Sequence, residues 1–242
     1  MNTSKVWYVT GASQGLGLTL VKKLLENGYR VAASSRDAHT LSRAVGVIDK
    51  DRFLPLAVDL NNLDCIDESI QQTLATFGRI DVVVNNAGYG MTGTLEDIAE
   101  QDIRNIFNVN VLATMDVVKS VLPVMRSQRS GYIINIGSVA GFVGASGWSV
   151  YSATKAAVAA FSETIALDIK EFGIKVTVVE PSGFRTNPDR AAEIFMELAE
   201  SPEPPMHLFL GKDAYNRALK KLADMSGELE HWKPITVGAG FK

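Results

Sequence analysis

The segment V-T-G-A-S-Q-G-L-G, Val9 to Gly17, decides the fold. It follows the β-branched run KVWYV (5–9) and precedes an apolar stretch of helical period, 16–27, that Gly28 stops at its C-terminal end. A glycine turn between a first strand and a first helix opens a crossover unit. Gly11 permits the tight turn. Gly15 and Gly17 let backbone and helix end approach a bound group, and Ser13 and Leu16 belong to the same turn. Amides at the N-terminus of the helix suit a pyrophosphate. The spacing is G-x-x-x-G-x-G, so its meaning rests on its position after the first strand.

Further along the chain, short strand-like runs alternate with longer helical ones. Strands are expected at 29–34, 52–58, 79–84, 132–136, 174–179 and 207–210. Helices are expected near 38–45 and over 62–77, 95–107, 108–126, 151–172 and 213–231. Pro55 places the third strand at a sheet edge. Alternation of this kind gives an α/β fold: one doubly wound, mainly seven-stranded parallel sheet with helices on both faces. No repeat or linker divides the 242 residues, and SPEPP (201–205) lies too near the end to separate domains. One domain is expected over 1–242, with a short lid region near 182–205.

Composition narrows the function. Of the residues 46% are hydrophobic and 21% charged, and the net charge is −3, so no basic field draws nucleic acid. Cys65 is the single cysteine and the histidines 39, 207 and 231 show no ligand spacing, so no metal site is expected. The N-terminus lacks the pattern of a signal peptide, and no apolar run approaches the length of a membrane span. The expected setting is the cytoplasm, with no membrane partner.

The end of the second strand selects the nucleotide. An acid there, about 20 residues beyond the glycines, suits the ribose hydroxyls of NAD. Here the residues are Ser34, Ser35 and Arg36, and the guanidinium of Arg36 suits a 2′-phosphate. NADP (NADPH) is therefore the expected cofactor, with Asp37 left open as an acid that takes the other role. Y-S-A-T-K, Tyr151 to Lys155, puts a phenol and an ammonium one helical turn apart.

With TGASQGLG (10–17), NNAG (85–88), Ser138 and YSATK in order at the ends of successive strands, the chain resembles a short-chain dehydrogenase/reductase of the compact type over 5 to about 187. The resemblance implies a dinucleotide-binding fold and hydride transfer between nicotinamide and a carbonyl or secondary alcohol. It implies that Tyr151 exchanges a proton with the substrate oxygen and that Lys155 lowers the phenol's pKa and holds the nicotinamide ribose. Ser138 matches the residue that hydrogen-bonds the substrate. Asn110 matches the helix asparagine that kinks its helix and keeps a water relay, with Asn108 the competing position. Asn86, Ala87 and Gly88 match the segment on the adenine-side ribose, Asp59 and Leu60 the adenine contacts, and Pro181, Gly183 and Thr186 the loop facing the carboxamide and pyrophosphate. Ser182 stands where relatives carry that loop's glycine.

The similar reductases carry a longer lid between VEPSGFRTN and PPMHLFLG. Here Thr186 runs almost directly into a helix, so either the lid is clipped or residues around Asn187 and Pro188 are absent from the chain. Tyr89, Met91, Phe142, Val143, Trp148 and Phe184 are candidate pocket residues, apolar enough to suit a hydrophobic ketone or aldehyde. A non-catalytic NADP-binding regulator is the alternative, and a sugar epimerase a third reading that lacks its larger C-terminal domain. Pairing into a homodimer or homotetramer is expected through the helices at 108–126 and 151–172, whose Val117, Val118, Val121, Phe161 and Ile165 fit an interface or a core.

Overall fold

A computed structural model describes residues 4–46, 51–182 and 186–239. The seven strands are β1 (Val6–Val9), β2 (Arg30–Ser35), β3 (Phe53–Ala57), β4 (Val82–Asn85), β5 (Gly131–Ile136), β6 (Ile174–Pro181) and β7 (His207–Leu210). They form one all-parallel sheet in the order β3-β2-β1-β4-β5-β6-β7. The β-branched composition of β1 and β4 fits their place at the centre, where every residue is buried. Pro55 sits on β3 at the edge, where its missing N–H costs no ladder bond.

The helices are α1 (Gly15–Glu26), α2 (Ala38–Val45), α3 (Leu63–Phe77), α4 (Glu100–Phe107), α5 (Ala113–Gln128), α6 (Val139–Phe142), α7 (Ser149–Ile169), α8 (Pro188–Glu200) and α9 (Lys212–Gly238). Apolar residues of α1, α2 and α8, among them Leu20, Leu24, Leu41 and Phe195, fill one face of the sheet. Those of α3, α5 and α7, with Ile66, Ile70, Val121 and Met125, fill the other. Two separate cores across one sheet are what the expected double winding requires.

Several boundaries differ for physical reasons. The fourth strand begins at Val82 because Asp81 turns its carboxylate to the N–H of Val6 at 2.8 Å and to Arg79 at 2.6 Å. The expected helix start at 95 moves to Glu100, because Thr94 and Asp97 form a hydrogen-bonded turn. Between α4 and α5 the helix does not break: Asn108–Leu112 is a single π turn that joins them. The resulting 29-residue helical segment, Glu100–Gln128, is long and apolar enough to span a membrane by length and composition, contrary to the sequence expectation. Its apolar side lies on the sheet, and Val117, Val118 and Val121 are buried there with Phe161 and Ile165 packed alongside. Val117, Val118 and Val121 serve the core, and Phe161 and Ile165 are half-buried beside it. The last helix runs past the expected His231 to Gly238.

Strand order reverses between β1 and β4, since the chain leaves β3 at one edge and re-enters at the centre. Loops from β1 and β4 therefore diverge and leave a crevice at their carboxyl ends.

Candidate active site

The glycine turn closes this crevice from one side. A Cβ on Gly11 would meet Ala87 Cα at 2.7 Å, and Gly11 has φ +65°, so glycine is required there twice over. A Cβ on Gly17 would meet Asn86 Nδ2 at 2.5 Å. Gly17 thus serves the contact with NNAG, not the approach of a ligand as expected. Asn86 donates to the carbonyls of Thr10 and Gly11, both at 2.9 Å, and Thr10 Oγ1 accepts from the amides of Asn86 and Ala87 at 3.1 Å. These bonds weld the two loops together.

Gly15 is different. It has φ +57° and nothing within 4 Å of its would-be Cβ. Gln14, the N-cap of α1, gives no side-chain cap, so the first-turn amides face the crevice. The crevice is a cavity of about 610 Å³. Gly11, Ser13, Gly15, Leu16, Ser35, Arg36, Asp59, Leu60, Asn86, Ala87, Gly88 and Tyr89 line it, all expected from sequence. Ser34, named with Ser35 and Arg36 at the end of the second strand, lines it too; Gln14, Val58, Asn61 and Val109 also line it and were not expected. Their only signal is adjacency to expected positions. An open cradle under uncapped amides fits a dinucleotide's phosphates.

Arg36 is exposed at the crevice wall. Asp37 is occupied elsewhere: it N-caps α2, its carboxylate accepting from the N–H of His39 and from the Thr40 hydroxyl. Those bonds hold its carboxyl below the usual carboxylate range, the Thr40 hydroxyl contributing most.

Gly88 joins the crevice to the reactive centre, its would-be Cβ lying 3.0 Å from Asn110 Oδ1 and 3.4 Å from Lys155 Nζ. Asn110 is buried within the π turn, whereas Asn108 is exposed. Its amide accepts from Tyr89 N–H at 3.0 Å and donates to Tyr89 O at 3.0 Å and to Thr154 Oγ1 at 3.1 Å. Thr154 in turn donates to the carbonyl of Tyr151 at 2.7 Å. The π turn thus ties the loop after β4 to α7 (π turns are frequent at functional sites). Thr154 was missed; a hydroxyl three residues after Tyr151 in YSATK was its signal.

Ser138 N-caps the short α6, its hydroxyl accepting from Ala140 N–H at 3.1 Å. Gly141 lets α6 lie on α7, since a Cβ there would meet the Lys155 backbone at 2.7 Å. This contact brings Ser138 within hydrogen-bonding reach of Tyr151. Tyr151 stands between Trp148, whose ring meets it edge-on at 5.4 Å, and Lys155, whose Nζ lies 5.9 Å from the ring centre. Lys155 is buried and donates to the carbonyl of Ile136 at 2.7 Å.

Burial pushes the Tyr151 phenol above its usual value, and the hydrogen bond with Ser138 opposes that rise. Burial also acts on Lys155, pulling its ammonium down to about 8.

The other expected pocket residues separate. Trp148 reaches Tyr151, and its ring covers Gly90, whose would-be Cβ lies 3.1 Å from it. Met91 is half-buried and Tyr89 exposed. Phe142 packs on Phe209 of β7 at 5.1 Å and under Lys221 of α9, and Val143 offers its carbonyl to Arg217. Gly183 and Phe184 lie outside the described residues. Pro181 ends β6, and the hydroxyls of Ser182 and Thr186 are buried without hydrogen-bond partners among the described residues. Asn187 caps α8 by accepting from Asp189 and Arg190 N–H, with Pro188 in the first turn. The chain enters this helix directly.

A family profile described as short chain dehydrogenase matches residues 5–194. The oxidoreductase BOA17 of Botryotinia fuckeliana is 33% identical over 98% of this chain and 99% of its own. That alignment runs to 272 positions, so the fungal protein carries residues without a counterpart among these 242. A 3-ketodihydrosphingosine reductase of Bacteroides thetaiotaomicron is 38% identical over 74% of this chain and 63% of that protein. Among solved structures, a short-chain dehydrogenase from Streptomyces avermitilis superposes with a TM-score of 0.93 at 31% identity over the whole of both chains. A metagenomic short-chain oxidoreductase in complex with NADP gives 0.77 at 30% identity, over 85% of this chain and 96% of that one.

Proposed function

Because the chain belongs to the short-chain dehydrogenases, and is thereby an oxidoreductase, we propose that it reduces a hydrophobic ketone or aldehyde with NADPH. The observation that carries this reading is the convergence of Ser138, Tyr151, Lys155 and Asn110 beside the crevice that Gly88 borders. A nucleotide sensor has no use for a half-buried phenol with a serine partner.

When bound, the nicotinamide supplies the hydride for the carbonyl carbon. The glycine turn, Arg36, Asp59 and the NNAG segment would hold the nucleotide along the crevice. Ser138 holds the carbonyl oxygen beside Tyr151, and Tyr151 gives that oxygen its phenolic proton. A phenol raised by burial keeps its proton at neutral pH, which suits a donor in the reducing direction. The ammonium of Lys155 stabilises the phenolate left behind. Its charge is lost above about 8, so the rate of reduction is expected to fall there. Asn110 and Thr154 fix the backbone of Tyr151 and the loop of Tyr89, positioning both walls of the site. Trp148 against Tyr151 supports an apolar substrate.

Support for NADP comes from exposed Arg36 on the crevice wall and from Asp37, engaged as a helix cap. Kinetics with both nucleotides and a panel of ketones and aldehydes test this. Arg36→Ala is expected to raise KM for NADPH at least tenfold and leave that for NADH nearly unchanged, consistent with loss of a charged bond worth about 1.5–3 kcal/mol. Equal effects on both nucleotides would remove Arg36 from the phosphate site.

A further inference from the structure

Helix α6 has four residues, too few to hold a helical turn by local bonds alone. Its N-cap is Ser138, so a shift of this turn moves the hydroxyl that reaches Tyr151. Two contacts fix it. Along its side, Gly141 lies on the backbone of Lys155 in α7, where a Cβ would come within 2.7 Å. At its C-terminal end, the carbonyls of Phe142 and of the C-cap Val143 receive side-chain donors from α9. Lys221 Nζ reaches Phe142 O at 2.6 Å, and Arg217 Nη2 reaches Val143 O at 3.1 Å. Lys221 also lies over the Phe142 ring at 5.2 Å, and that ring is backed by Phe209 of β7 at 5.1 Å.

The spacing along α9 delivers these two cations. Its seated side is Asp213, Arg217 and Lys221 in one row and Ala214 and Ala218 in the next, each row stepping one turn at a time. Ala214 and Ala218 are its buried residues, and their small side chains let the helix lie close on α6 and β7. Two methyl groups bury little apolar area, so the contact draws much of its hold from the charged bonds to carbonyl oxygen. Every described residue from Leu222 onward is exposed, so the seated part of α9 ends at Lys221, on α6.

We propose that Arg217 and Lys221 are positioning residues for the reduction: they clamp the C-terminal end of α6 and so hold Ser138, at its other end, against Tyr151. The inference rests on the reaction proposed above. The clamp bears on α6 and β7, whereas the nucleotide crevice is lined by the segments that follow β1 to β4, so cofactor binding is left alone.

The double variant Arg217→Met, Lys221→Met keeps the apolar stems and removes both donors. Amide hydrogen exchange of the full chain, without substrate, reads the clamp. The amides of Ala140, Gly141 and Val143, which bond to Ser138 and Val139, are expected to exchange at least about tenfold faster, with β4 and β5 unchanged. Kinetics read the positioning: with a ketone that wild type reduces, kcat/KM for the ketone is expected to fall about 10–100-fold while NADPH affinity holds. Lys221→Arg keeps a charged donor and is expected to stay within about threefold of wild type. Unchanged exchange overturns the clamp. Faster exchange with wild-type kinetics overturns the positioning role, and so does an equal loss in Lys221→Arg. A wild type that reduces no ketone or aldehyde overturns the reaction and the positioning role with it; the exchange measurement, made without substrate, tells that failure from failure of the clamp.

Discussion

Lys155 gives up hydration on burial, and its ammonium falls from the ordinary 10.5 to about 8. Below about 8 both folded and unfolded chains hold the proton, so the folded state carries the whole penalty of a buried charge. Between about 8 and 10.5 only the unfolded chain holds it, so stability rises with pH across that window. The penalty is at most about 3 kcal/mol at 1.36 kcal/mol per pH unit. The bond to the Ile136 carbonyl offsets about 1 kcal/mol of it. Lys155→Met is therefore expected to unfold at higher denaturant than wild type at neutral pH, by roughly 1–2 kcal/mol. That advantage should shrink as pH approaches 10.5, and the variant should lose reduction altogether. Equal pH dependence of the two proteins would show that the lysine is not held by burial. The spacing of YSATK displayed this pair in the sequence; the direction of its electrostatics did not show. Burial depends on α6 and the NNAG loop closing over α7, and neither contact has a local signature.

At the scale of elements, His207 shows what spacing conceals. Scattered in the sequence, it opens β7 and stands between two carboxylates, with Nδ1 3.1 Å from Glu180 and Nε2 3.1 Å from Glu163 of α7. Glu180 is buried on β6 one residue before Pro181, and burial raises its carboxyl above the usual range, with His207 opposing the rise. The imidazole thus ties β6, β7 and α7 together. His207→Ala is expected to destabilise the protein by roughly 2–4 kcal/mol at neutral pH, since Glu180 would stay buried without its donor. A carboxyl with a raised pKa weakens folding as pH rises through it, so acidification should recover part of that loss. Urea unfolding at several pH values checks this; a loss independent of pH would assign the effect to packing alone. Pro55 was legible as an edge residue because proline forbids a central place. The π turn was not, because a buried Asn110 forms it only through partners 21 and 44 positions away, Tyr89 and Thr154.

For the molecule as a whole, one sheet with its order reversed between β1 and β4 places the glycine turn, NNAG, Ser138 and Tyr151 at one rim. Alternating strand and helix periods made that architecture legible, because a parallel sheet must return its chain through a helix each time. Val117, Val118 and Val121, which from sequence fit an interface or a core alike, were left undecided by the same lack of context. A valine stripe on a helix reads alike against a sheet and against a partner, and here the sheet has it. Phe142 likewise could not be distinguished from a pocket wall until β7 and α9 were in place around it.

The proton donor is the central claim, and single-turnover oxidation of NADPH by Tyr151→Phe, mixed with a ketone that wild type reduces, tests it most directly. Loss of a positioned acid predicts a rate lower by about 10²–10⁴-fold with NADPH affinity unchanged in a separate titration. A variant that turns over at the wild-type rate while binding NADPH normally would contradict the assignment of Tyr151.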